Sequence, residues 1–172
     1  MPISCGERFS MRRRTPLLFA ALVLTAVVIS PRARAAEPVH RQDGTTKTIW
    51  DGIYTEEQAR RGEQVFKTEC SYCHRDDLAG GFLDDGVERA PALAGPRAFG
   101  SSLVDRWKDL TLTDMVASIA ATMPQQKPAS LTLQAYVDVV GYLFSKNKIP
   151  AGSLELPPDA EALGRLLITE RK

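Results

Sequence analysis

Two cysteines and a histidine stand together in this chain as Cys70-Ser71-Tyr72-Cys73-His74. Thiols three positions apart can reach the two vinyl groups of one porphyrin and form thioethers. The next residue, His74, is then carried under the ring, where a neutral imidazole nitrogen can ligate iron. Cys-x-x-Cys-His is on these grounds an attachment site for haem c. Covalent attachment also keeps the cofactor bound when the iron changes charge.

Three other uses of the same residues fit less well. A thioredoxin-like dithiol places its first cysteine at the start of a helix that follows a strand, where the helix N-terminus stabilises a thiolate. Here the pair follows the expected end of a helix. A zinc site needs four ligands, and beyond Cys70, Cys73 and His74 only the distant His40 remains. A structural disulfide leaves His74 unexplained.

Iron in an electron-transfer site takes a second axial ligand, commonly Met or His. Met115 lies on the apolar stripe of a helix and reads as core. His40 lies in a polar stretch and reads as a solvated residue. Met123 precedes Pro124, which biases it away from helical geometry and onto a loop from which a side chain can be aimed. Met123 is therefore the expected distal ligand, and a gap-filling core methionine is the alternative. A soft thioether favours ferrous iron, raises the potential and leaves no open coordination position. That combination points to electron transfer rather than to oxygen chemistry.

The elements that must position these residues are mostly helical. Thr55 reads as an N-cap for a helix from about 56 to 69, with Gln58 completing a capping box. Gly62 inside it costs about 1 kcal/mol relative to Ala, which implies close approach by another helix. Residues 75–100, rich in Gly, Pro and Asp, read as a long loop whose missing core a porphyrin would supply. Thr111 or Thr113 can cap a short helix ending at Thr122. Thr132 caps the last strong helix, whose apolar stripe includes Tyr136, Val140 and Phe144 and which ends at Asn147. A short helix is also expected near residues 159–163.

The chain has 172 residues, with 22 Lys+Arg against 21 Asp+Glu and three cysteines. This balance excludes a disordered or nucleic-acid-coating chain, and the cysteine count excludes a disulfide-dense mini-protein. The totals combine segments expected to separate. A basic start with Arg8, Arg12, Arg13 and Arg14 precedes an uncharged run from Leu17 to Ile29, and Ala33-Arg34-Ala35 follows. The run is shorter than the ~20 residues that span a bilayer and has the length of a signal-peptide core. Residues 1–36 are therefore expected to be an export signal cleaved near 35–36. Six basic residues and one acid leave with residues 1–35, so 16 basic residues face 20 acids, a net of −4. Cys5 leaves as well.

With these residues in place the chain resembles the class I cytochrome c family. Gly62-x-x-x-Phe66 ahead of Cys70-x-x-Cys73-His74 is similar to that family's N-terminal helix and haem site. Pro91-x-Leu93-x-Gly95 resembles its loop beside the haem, Met123-Pro124 its distal-ligand loop, and residues 136–144 its C-terminal helix. The resemblance implies an all-α fold of three to four helices around one covalent haem c, with Gly62 crossing close to an aromatic such as Tyr142. It also implies that the Pro91 carbonyl orients His74, that Leu93 packs on the porphyrin and that Trp107 donates to a propionate. It spans roughly 54–147. Residues 37–53 are expected to be a flexible lead-in and 148–172 a tail. The stretch from Ile149 to Pro157 looks similar to small periplasmic cytochromes associated with alcohol dehydrogenases.

The expected function is a periplasmic one-electron carrier rather than an enzyme. Cys70 and Cys73 hold the haem, His74 is the proximal and Met123 the distal iron ligand, and Pro91, Leu93 and Trp107 form the surroundings. Redox proteins are the expected partners: a dehydrogenase as donor and a cytochrome or terminal oxidase as acceptor, with neither nucleic acid nor stable membrane insertion. A haem sensor or small haem enzyme with an open sixth position is the main alternative. A structural subunit of a dehydrogenase complex is another.

Overall fold

The computed structural model describes residues 46–82, 89–96, 98 and 101–171. The leader expected at 1–36 and His40 lie outside these residues. Among them the order is β1 (Lys47–Thr48), α1 (Glu56–Glu69), α2 (Ser71–His74), β2 (Gly81–Phe82), β3 (Arg89–Ala90), α3 (Leu103–Trp107), α4 (Leu112–Thr122), α5 (Leu133–Lys146), α6 (Ala160–Leu163) and β4 (Leu166–Leu167). The fold is all-α: α1, α4 and α5 are the long helices, α2, α3 and α6 are short, and every strand has two residues.

Local capping sets where the long helices begin. The Thr55, Thr111 and Thr132 side chains accept from the backbone N–H of Gln58, Asp114 and Ala135. Each such cap is worth about 1 kcal/mol. At α4 the box is reciprocal, because Asp114 also accepts from the Thr111 N–H at 2.9 Å. The box expected at α1 is only half formed. The Gln58 amide turns away to the C-terminal tail, where Nε2 donates to Leu156 O at 3.0 Å and Oε1 accepts from Leu156 N at 2.8 Å. Gln58 is fully buried there, and two backbone groups of the tail gain the partners that burial demands.

Helix α1 crosses α5 at Gly62. A Cβ at Gly62 would lie 1.9 Å from Asp138 O, so the residue lets one backbone touch the other. Tyr142, the aromatic expected near this crossing, packs on Phe66, one turn further along α1, with ring centroids 5.3 Å apart. Arg61 clasps the buried Asp138 carboxylate with two bonds of 3.1 Å and also reaches Glu155 in the tail at 2.7 Å.

The tail wraps the helices. Gly152 N donates to Tyr54 O at 2.7 Å, and Tyr54 Oη donates to Ile149 O at 2.7 Å. Strand β1 pairs in parallel with β4, Lys47 opposite Leu166 and Thr48 opposite Leu167. Thr111 bridges Leu167 from the other side. Ile49 and Ile168 are fully buried. The lead-in expected to be flexible over 37–53 is therefore packed from Lys47 onward, where β1 pairs with the tail and Ile49 and Ile53 are buried. The long loop also differs from expectation. It carries the β2–β3 pair, with Gly81 opposite Ala90; α3 follows beyond it, with an N-cap at Ser102 that accepts from Asp105 N.

Candidate cofactor site

The cysteine segment continues directly from α1. Cys70 N donates to Phe66 O at 2.8 Å, and Cys70 O then accepts from Cys73 N and His74 N at 3.2 and 3.0 Å. This single turn, α2, brings Cys73 and His74 round beside Cys70. Arg75, with φ of 62°, ends the turn, and Gly80 N donates back to His74 O at 3.1 Å. Gly80 also has positive φ, and a Cβ there would lie 2.3 Å from Ala90 O. Only glycine lets the chain at Ala90-Pro91 come this close.

That approach delivers the Pro91 carbonyl to the histidine, with His74 Nδ1 3.0 Å from Pro91 O. A carbonyl only accepts, so Nδ1 carries the proton and Nε2 keeps a free lone pair suited to a metal. Burial lowers the His74 pKa and so favours the neutral ring, and the Pro91 bond opposes this only in part. Burial, with smaller contributions from Glu69 and Cys73, pushes the Cys70 thiol up to about 11. A thiol held protonated is a poor dithiol redox centre. Among the described residues no three His, Cys, Asp or Glu side chains cluster to hold a metal, so the zinc reading gains no ligand set.

The segment expected to carry the distal ligand leaves α4 at Met123, whose N–H donates to Ile119 O at 2.8 Å and whose φ and ψ of −130° and 147° are extended. Tyr136 Oη on α5 donates to Met123 O at 2.8 Å. Lys127 Nζ, further along this loop, pairs with Glu69 at the end of α1 at 2.8 Å. Met115 is fully buried in the core.

All seven residues expected at the site, Cys70, Cys73, His74, Pro91, Leu93, Trp107 and Met123, border one cavity of about 640 Å³. That size lies within the range of ligand pockets, about 300–1,000 Å³. An apolar hollow holding two thiols and an imidazole with a free nitrogen fits a covalently attached haem.

Three contributors escaped the sequence reading. Arg106 borders the cavity, and its guanidinium lies 5.2 Å from the Trp107 ring centroid. Asn147 does more than end α5. Its Nδ2 donates to Leu93 O at 2.9 Å and its Oδ1 accepts from Gly95 N at 3.2 Å, fixing the loop that carries Leu93. Tyr136 reaches Met123 as described. The Arg106-Trp107 pairing of a cation with an aromatic was visible in the sequence, whereas nothing local marked Asn147 or Tyr136.

A family model described as cytochrome c oxidase, cbb3-type, subunit III, matches residues 57–143, half of the chain. Photosystem II extrinsic protein V of Pyropia yezoensis is 30% identical over 155 residues, 81% of this chain and 93% of the relative. The chain belongs to the class I c-type cytochromes. The protein of the same name from Phaeodactylum tricornutum is 31% identical to this cytochrome over 116 residues, 62% of this chain and 69% of the relative. The crystal structure of the sulfane dehydrogenase SoxCD from Paracoccus pantotrophus aligns distantly, with a TM-score of 0.42 and 16% identity over 69% of this chain and 61% of that one. The cofactor of the cytochrome is covalent haem c with its iron, and the protein is of the electron-transfer type.

Proposed function

We propose that this cytochrome is a periplasmic one-electron carrier that takes electrons from a dehydrogenase and passes them to another cytochrome or a terminal oxidase. Cys70 and Cys73 hold the haem through thioethers, His74 is the proximal ligand and Met123 the distal one. The observation that carries the reading is the convergence of these four side chains on one apolar cavity, with the His74 tautomer set by Pro91. When bound, the haem supplies one-electron iron chemistry at a potential that its ligands set.

The chain's own residues orient and shield. Pro91 holds the imidazole, Leu93 and Trp107 wall the cavity, and Met123 closes the sixth position against small ligands. A closed position favours transfer over sensing or catalysis. Residues 1–36 act as the export signal, and no helix among the described residues is long and apolar enough to cross a membrane. A net charge of −4 without the leader favours a partner with a basic docking face and an on-rate that falls with salt. The names of the relatives favour one further reading, a subunit attached to a larger assembly. Co-purification with a larger enzyme would distinguish it from a free carrier.

The test is an absorption spectrum of the exported protein, oxidised and reduced. A low-spin spectrum with a methionine–iron charge-transfer band is expected. A high-spin ferric haem that readily binds carbon monoxide when reduced would favour the sensor or enzyme instead. Cys73→Ala should leave at most one thioether and cripple maturation, and normal yields of fully attached haem from that variant would remove the attachment assignment.

A further inference from the structure

Met123 has both of its backbone polar groups fixed, each by a different helix. Its N–H is the last donor into α4, bonded to Ile119 O at 2.8 Å, and its C=O accepts from Tyr136 Oη on α5 at 2.8 Å. The following residue is Pro124, which has no N–H to offer as a substitute anchor. Further along, Lys127 N donates to Pro124 O at 2.9 Å and Ala129 N to Ala120 O at 2.8 Å, which closes the loop on itself and on α4. These bonds shape the loop without tying Met123 to α5. Tyr136 supplies that tie.

The tyrosine suits the task. It sits in the first turn of α5, where its N–H is held by Thr132 O at 3.1 Å, and it is only 4% exposed. A ring with two side-chain torsions, clamped by burial, presents its hydroxyl from one place. Helix α5 also carries Val139 and Leu143, which border the cavity. One rigid element thus both walls the cavity and holds the backbone from which the Met123 side chain projects.

We propose that Tyr136 is the positioning residue of the sixth coordination position, setting how often Met123 gives it up to a competing ligand. The inference rests on the reading of Met123 as the distal ligand. A hydroxyl that merely satisfied itself in the core would affect global stability and nothing else. A positioning hydroxyl also changes the competition between Met123 and an added ligand.

The experiment uses the haem-loaded full chain and imidazole as the probe, titrated into the ferric protein and followed by the methionine–iron charge-transfer band. Tyr136→Phe keeps the ring and deletes the donor. Its apparent affinity for imidazole should rise about two- to tenfold, the equivalent of one ordinary hydrogen bond, and its reduction potential should fall as the thioether bond weakens. Met123→Ala, run in parallel, should abolish the band. If that variant keeps the band, the ligand reading fails and this inference fails with it. If it loses the band but Tyr136→Phe titrates like wild type, the ligand reading stands and the role of Tyr136 is overturned. Should Tyr136→Phe not yield holoprotein, proton NMR of the unmodified reduced protein decides. A slowly exchanging Tyr136 hydroxyl proton with a cross-peak to Met123 supports the proposal, and a rapidly exchanging one overturns it.

Discussion

Gly62 and Asp138 touch backbone to backbone, so that a single methyl at Gly62 would sit 1.9 Å from the Asp138 carbonyl oxygen. Neither side can yield cheaply, because the obstacle is a main-chain atom inside α5. Gly62→Ala should therefore force α1 and α5 apart. The gain in helix propensity, about 1 kcal/mol, is outweighed by overpacking, and a net loss of about 2 kcal/mol is expected. Urea unfolding of the haem-loaded protein measures it. Unchanged or increased stability would mean that the crossing is looser than described.

Gln58 and Leu156 are 98 residues apart in sequence and share two buried hydrogen bonds. Gln58→Ala would strand the Leu156 N–H and C=O together, at a cost of about 2–3 kcal/mol. Hydrogen exchange at the Leu156 amide should accelerate alongside. A loss below about 0.5 kcal/mol would show that water replaces the side chain easily.

The Arg61 guanidinium beside Glu155 holds that carboxyl below the usual glutamate range. A folded pKa below the unfolded one gives stability that is present above the unfolded value, 4.5 for glutamate, and is lost as pH falls through the folded value. Glu155 is 44% exposed, so screening limits the contribution to about 0.5 kcal/mol. Glu155→Gln should be less stable than wild type by about that amount near neutral pH. The difference should close in acid, below the folded pKa. A gap that widened on acidification would reverse the sign of the interaction.

Met115 and Met123 should respond differently to one conservative change. Met115→Leu alters a fully buried core side chain and should cost less than about 1.5 kcal/mol, leaving the haem spectrum and potential as they were. Met123→Leu should barely change helix content, yet lose the methionine–iron band and lower the potential. Redox titration of both variants separates core from ligand, and a shifted potential in Met115→Leu alone would move the ligand to that position.

What could be read from the sequence was local. Thr55, Thr111 and Thr132 act on amides three residues away, so capping marks α1, α4 and α5 without any knowledge of the fold. The candidate site residues were legible for a related reason: Cys70, Cys73 and His74 share one turn, and Met123, which borders the same cavity, is flagged by its own proline. The rest depended on partners far along the chain. Gln58 looks like a capping-box residue until Leu156 of the tail arrives to take its amide. Asn147 looks like a helix terminator until the Leu93 loop folds against it. Tyr136 is one more apolar-stripe residue until its hydroxyl is seen to end on Met123. Helix α3 is a short helix of five residues just after a Gly- and Pro-rich stretch, too short for a periodic pattern.

The parallel pairing of β1 with β4 has a mechanical consequence. The chain enters the described structure at the start of β1 and leaves it after β4, and the two strands run in the same direction. A pull between those ends drags the strands past each other along their length, loading their hydrogen bonds together rather than peeling them one at a time. Ile168, the residue just after β4, is additionally held on the far side: Asp109 N donates to its carbonyl at 2.9 Å, and its own N–H donates to Leu110 O at 3.0 Å. Tension applied at the two ends thus meets this seam before it reaches the helices that enclose the cavity.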